Sequence, residues 1–139
     1  MRRPALCLAV LACSLAACGG PSDDEQVRDT LERYEQATAK RDVQTICDEL
    51  LSPEIAAKVA REGLPCEVAL KTGLEDVKAP TLRVEKVQVN GDQALARVRS
   101  EAAGQAPSTD TIRLIRIGET WRIAALARPQ PQPPTPAGP

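Results

Sequence analysis

Histidine is absent from this 139-residue chain, and so is phenylalanine; Tyr34 and Trp121 are its only other aromatic residues. Without histidine, Ser-His-Asp and Cys-His catalysis is excluded, and a zinc site would lack its commonest ligand. Without aromatic bulk, the core falls to Leu, Ile, Val and Ala, which bury less area per residue. A covalent staple would help such a domain. Positive charge is not in excess either, with 18 basic and 19 acidic residues, so there is no electrostatic footprint for DNA or RNA. No phosphate loop, dinucleotide fingerprint or internal repeat is visible. The longest apolar run, 6–17, falls short of the roughly 20 residues that span a bilayer.

That run has a purpose of its own. Met1-Arg2-Arg3 is positive, 6–17 is apolar, and Ala16-Ala17 are small residues suited to a peptidase. This is the three-part layout of a secretory signal. Leu15-Ala16-Ala17-Cys18 resembles the bacterial lipobox, an aliphatic and two small residues before a cysteine. The resemblance implies a diacylglycerol on the Cys18 thiol, an added palmitate-type acyl chain, and cleavage after 1–17. Two acyl chains make a stable anchor where one is marginal. The expected location is therefore the extracytoplasmic face of the cell membrane, lipid-anchored. The alternatives are an ordinary secretory signal with Cys18 there by chance and, less readily from so short a run, a transmembrane helix.

Past the leader, loss of Arg2 and Arg3 shifts the net charge from −1 to −3. Nothing in that charge attracts anionic lipid, so membrane residence depends on the anchor. The sequence divides into a lipidated tether 18–22, one domain over 23–127 and a tail 128–139 that is half proline, expected to be extended and solvated. Of five cysteines, Cys7 and Cys13 leave with the leader and Cys18 takes the lipid. Cys47 and Cys66 remain as an even pair in an oxidising compartment and are expected to be bonded. A loop of about 20 residues closed this way is worth roughly 3 kcal/mol. A free buried pair and a metal site are the alternatives, but two cysteines without histidine suit zinc poorly; no metal and no cofactor are expected.

Ser22 and Glu25 have capping-box spacing, and Val27, Leu31, Tyr34 and Thr38 follow on one helical stripe, predicting a first helix over 23–40. Asp42 can cap a second short helix with Val43, Ile46, Cys47, Leu50 and Leu51 on one side. Ser52-Pro53 starts a third, with Ile55, Ala56, Val59 and Ala60 as its buried face and Gly63 at its end. Leu64-Pro65 opens another turn or short helix over 66–71, closed by Gly73. After Pro80 the period becomes two. Leu82 and Val84 alternate, then Val87 and Val89 on the opposite parity, a bulge at Glu85-Lys86. Asn90-Gly91 signals a hairpin, followed by a strand with Ala94, Ala96 and Val98 on one face and Leu95, Arg97 and Arg99 on the other. A third strand over 109–117 has a parity slip between Leu114 and Ile115. A fourth, 120–126, puts Trp121, Ile123 and Ala125 on one face.

Helices first and an antiparallel meander after them predict an α+β fold, N-terminal helices on a curved four-stranded sheet. Helix one with its late Tyr34, then Lys40-Arg41-Asp42, Ile46-Cys47 and Leu50-Leu51-Ser52-Pro53, resembles the start of small exported NTF2-like (SnoaL-like) proteins of the actinobacterial kind. The ending Ile112-Arg113-Leu114-Ile115-Arg116, Gly118, Trp121-Arg122-Ile123 is similar to their last hairpin. The resemblance covers about 24–126 and implies a cystatin-like cone with a cavity at its open end; the spacing of Cys47 and Cys66 fits its exported members.

Enzymes of that class, such as ketosteroid isomerase, move protons with a carboxylate base and a tyrosine or acid at the developing oxyanion. Tyr34 sits where it could face the cavity, although a tyrosine on an apolar stripe is more often a core residue with its hydroxyl at the rim; Trp121 is a second cavity candidate. The loose aspartates are Asp42, read as a cap, Asp76 in a loop and Asp110 at a strand start. None lies within an apolar strand face, so no catalytic residue is assigned. Arg97, Arg99, Arg113 and Arg116 could receive an anionic partner, or form a solvated face balanced by Glu85 and Glu101. The expectation is a non-catalytic, lipid-anchored binding or accessory module with a protein or cell-envelope partner. A cone that binds a small apolar molecule, or transforms it as an isomerase does, is the alternative. Dimerisation through the open sheet face is left open.

Overall fold

The computed structural model describes residues 19–127. The leader 1–17, Cys18 and the tail 128–139 lie outside the described residues. Helix α1, Asp23–Lys40, starts at a full capping box: the Glu25 N–H donates to Ser22 Oγ at 3.3 Å, and the Ser22 N–H donates to Glu25 Oε2 at 2.7 Å. The backbone bond from Ser22 holds the Glu25 carboxyl below its ordinary value. Asp23 and Asp24 add negative charge at the positive end of the helix dipole. The helix ends at Arg41, whose left-handed φ of 57° stops propagation.

Asp42 then caps a single turn, α2 (Val43–Thr45), accepting from the Thr45 N–H at 3.1 Å. This turn widens into a π-helical segment, Ile46–Leu50, which the sequence pattern does not disclose. Its closing bond runs from the Leu51 N–H to Ile46 O at 2.9 Å. Within it Ile46, Cys47 and Leu50 are all buried, and Leu51 just after it is buried too. Ser52 caps α3 (Pro53–Arg61) with Pro53 first, and α4 spans Cys66–Gly73. The face expected to be buried on α3 is not: Ile55, Ala56 and Val59 are half-buried and Ala60 is exposed. The helix leans on β4, an outer strand, and on α4, rather than crossing the sheet.

The sheet is a four-stranded antiparallel meander in the order β1 (Thr81–Asn90), β2 (Gln93–Glu101), β3 (Ser108–Ile117), β4 (Thr120–Ala127). Glu85 is the extra residue of a bulge in β1, so Leu82, Val84 and Val87 all pack against the core. The Arg28 guanidinium reaches from α1 to Val84 O beside the bulge, at 3.3 Å. The first hairpin loop is Gly91-Asp92, one residue later than the Asn90-Gly91 signal implied. Asn90 pairs with Gln93, and Gly91 takes φ 59° at the position where a type II′ turn calls for glycine.

The second irregularity sits on β4 rather than β3. Arg113 pairs with Ala125 and Leu114 with Ile123, so Ala124 is the inserted residue. Strand β3 keeps its parity, with Ile112 and Leu114 inward. Trp121 and Ile123 face inward as expected, but Ala125, past the insertion, shares the outer face with Arg113. The core lies between α1, the π-helical turn and the concave sheet face, where Val27, Leu31, Ile46, Leu50, Leu114, Trp121 and Ile123 are among the large buried side chains. The Ser52 N–H donates to Ile123 O at 2.8 Å and covers part of the β4 edge. Cys47 and Cys66 are bonded, Cα atoms 6.1 Å apart, tying the π-helical turn to the first residue of α4.

Candidate functional site

A pocket of about 230 Å³ lies at one end of the sheet, where β1 begins, β2 ends and β3 begins. Tyr34, Glu35 and Thr38 reach it from the last turns of α1. Leu74, Val77 and Pro80 form a wall after α4, and Gln105 and Ala106 come from the β2–β3 loop. Two ties hold these loops. The Arg41 guanidinium donates to the carbonyls of Leu74, Glu75 and Val77 at 2.8, 3.2 and 3.3 Å. The Ala103 N–H donates to Lys78 O at 2.8 Å. Ala79, just before Pro80, has φ 46°, a left-handed conformation costly for a residue with a Cβ, and the two ties hold the residues immediately before it.

Tyr34 is thus a pocket residue. Burial pushes its phenol above the ordinary value, opposed in part by the Thr38 hydroxyl. The Thr38 hydroxyl also donates to the Tyr34 carbonyl, at 2.7 Å. The raised value makes a prediction. The native phenol keeps its proton to higher pH than the unfolded one, so above the ordinary 10.0 the native state binds more protons. Stability is then full below that value and declines as pH rises toward the native ionisation. Tyr34 is the sole tyrosine, so phenolate absorbance reports it alone. The native midpoint is expected above that of the urea-unfolded chain, and Tyr34→Phe should flatten this part of the alkaline stability slope; coincident midpoints would show an exposed phenol.

Trp121 is placed elsewhere. It lies at the opposite end of the sheet, 3% exposed, with the Arg116 guanidinium 5.2 Å from its ring centroid. Its Nε1 is buried without a partner among the described residues. Arg116 also binds Asp23 of α1 at 2.6 Å and Asp92 of the hairpin loop at 3.0 Å, joining three elements over the indole. The four arginines therefore separate. Arg97 and Arg99 stand on the outer face, paired with Glu85 and Glu101 at 3.1 and 2.8 Å. Arg113 flanks a groove beside α3, and Arg116 belongs to the inner face.

The aspartates separate as well. Asp42 is a cap, its carboxyl held below the ordinary value by the Thr45 backbone N–H. Asp76 is exposed in the loop after α4. Asp110 pairs with Val98, a buried inner-face residue, so it does stand on the apolar concave face, half-buried, contrary to its reading as a plain strand start. It accepts from Ser108 Oγ at 2.7 Å, and Ser108 lines the pocket. The pocket walls from 74–80 and 102–106 were not foreseen; their signal is apolar Leu74, Val77, Ala102 and Ala106 inside segments read as loops. Among the described residues no group of three or more metal-ligating side chains converges.

A long capped helix against a curved, unclosed meander with a pocket at one end is the NTF2-like fold. The structure is similar to an NTF2-like protein of unknown function from Silicibacter pomeroyi DSS-3, with 19% identity, TM-score 0.55, and coverage of 74% of this chain and 91% of that one. It is similar to another from Shewanella baltica OS155, with 10% identity, TM-score 0.52, and coverage of 77% and 94%. A de novo designed NTF2-fold protein, NT-9, matches at 19% identity and TM-score 0.53, covering 79% and 90%. By sequence, residues 22–127 match the family described as "Putative lumazine-binding", and the chain belongs to it. No curated protein matches the chain.

Proposed function

We propose that this NTF2-like domain is a lipid-anchored, extracytoplasmic binding module that holds a small ligand in the Tyr34 pocket without transforming it. The observation that carries the binding role is the pocket itself: apolar walls, a few hydroxyls and one partly buried phenol. At about 230 Å³ it is smaller than the roughly 300–1,000 Å³ of sites for drug-sized ligands, so the occupant is fragment-sized. The family's description also supports a ligand-binding role.

The anchor rests on Leu15-Ala16-Ala17-Cys18, and the topology suits it. The chain enters α1 beside the Gly91-Asp92 turn, where Asp23 meets Arg116, while Tyr34 and Thr38 carry the pocket at the other end. At 1.5 Å per residue α1 spans about 27 Å. A tether at residues 18–22 would therefore hold the domain by one end and leave the pocket at the far one. A second reading, an isomerase-like enzyme, draws on Asp110 of the concave face. Against it, the Asp110 carboxyl is engaged by Ser108 and is not a lining residue of the Tyr34 pocket.

The test of the anchor is Cys18→Ala. The variant is expected to move from the membrane fraction to the soluble fraction and to lose acyl mass. Full membrane retention, with no acyl mass on the wild type, would refute the lipid. Ligand binding is tested below.

A further inference from the structure

We infer that the occupant of the Tyr34 pocket is a small apolar amine. The inference rests on the pocket reading above and adds the chemistry of the ligand. The lining carries two carboxylates, Glu35 and Glu101, and no lysine or arginine. Glu101 is partly neutralised by Arg99 at 2.8 Å, whereas Glu35 has no ion pair among the described residues. Two of the lining hydroxyls are oriented as acceptors. The Ser108 proton is directed to Asp110 Oδ2 at 2.7 Å, and the Thr38 proton to the Tyr34 carbonyl at 2.7 Å. Each therefore presents lone pairs rather than its proton. The lining groups able to donate, among them Tyr34 and Gln105, are neutral.

Acceptors bearing negative charge around apolar walls of Leu74, Val77 and Leu82 complement an apolar body with an N–H donor. An ammonium gains most, because charge-assisted hydrogen bonds are about twice as strong as neutral ones. A carboxylate ligand would meet like charge at the rim. Of the cations around it, Arg41 is engaged by the Leu74, Glu75 and Val77 carbonyls, and Arg83 and Arg99 line an adjoining depression that shares Glu35, Thr81, Leu82 and Glu101 with the pocket. An anion would be drawn there and not to the pocket.

Three probes of similar size decide this: phenethylamine, ethylbenzene and 3-phenylpropionate, titrated into the full chain. Tyr34, Ser108 and Ala106 resonances serve as the readout. The amine is expected to bind about tenfold more tightly than ethylbenzene and more tightly still than the carboxylate. Glu35→Gln, with Glu101→Gln as a second variant, should erase most of that preference while the thermal midpoint stays in place. Equal or tighter binding of ethylbenzene or 3-phenylpropionate would overturn the amine assignment and leave the pocket reading standing. Failure of all three probes to shift these resonances would overturn the pocket reading itself, and the amine assignment with it.

Discussion

Replacing Cys47 and Cys66 together by serine is expected to lower the unfolding free energy by about 3 kcal/mol, the loop-closure entropy of a bridge of this span. The two residues are 19 apart in sequence. Calorimetry should show a fall in Tm of roughly 10–20 °C for a domain of this size. The site explains why the loss is not absorbed elsewhere. Cys66 is the only buried residue of α4, with Leu70 packed partly against the core. Beyond the bond, the Arg41 guanidinium on the Leu74, Glu75 and Val77 carbonyls ties down the segment that follows α4. Leu74 and Val77 are pocket wall, so the double variant should also bind phenethylamine more weakly than the parent. The paired substitution avoids leaving one thiol free. A change below about 1 kcal/mol would mean that α4 is held by packing alone, and the bridge would then be no staple for an aromatic-poor core.

The elements that sequence disclosed best are those whose signals are local. Helix α1 is bounded by its own chemistry, Ser22 with Glu25 at one end and the charged Lys40-Arg41-Asp42 at the other, and the structure has the same limits. The β1 bulge was legible because Val84 and Val87 lie three apart, which no unbroken alternation allows. The same logic misplaced the other bulge. Apolar residues at 112, 114, 115 and 117 suggest a slip in β3, but Ile115 and Ile117 simply occupy the outer face, Ile117 with 41% exposure. The true insertion, Ala124, is a small residue that fits either face and leaves no hydropathy trace.

Faces are legible; what covers them is not. Ile55 and Val59 do form a stripe on α3, yet only tertiary packing decides that the stripe meets a strand edge and stays half-buried. The π-helical turn is closed by the local Leu51–Ile46 bond, and the chain just after it is fixed by the Ser52 bond to Ile123 of β4, which only the folded sheet supplies. The candidate site was half legible. Tyr34 was placed by its helical phase. Trp121, the second cavity candidate, stacks under Arg116 at the other end of the sheet, away from Tyr34. Asp110 reads as a strand start until its pairing with Val98 fixes its face.

Leu31→Ala is expected to cost about 3 kcal/mol, within the 2–5 kcal/mol seen for such truncations of buried leucines. Leu31 is fully buried on the inward stripe of α1, between Val27 and Tyr34. Its surroundings make refilling difficult. The β2 face is built from Ala94, Ala96 and Val98, short side chains that cannot extend into a vacated space. Trp121, the only large aromatic in the core, is fixed beneath Arg116. With no phenylalanine to repack, the cavity should persist and its lining lose dispersion contacts outright. Leu31→Met keeps the volume and should cost under about 1.5 kcal/mol. Leu64→Ala, at 47% exposure, should stay within about 0.5 kcal/mol. Urea unfolding followed by the emission of Trp121 measures all three, with an unchanged m-value as the sign that only the native state is affected. Equal, small losses for Leu31→Ala and Leu64→Ala would mean that α1 does not seal the concave face, and a pocket walled by its last turns could not then hold its shape.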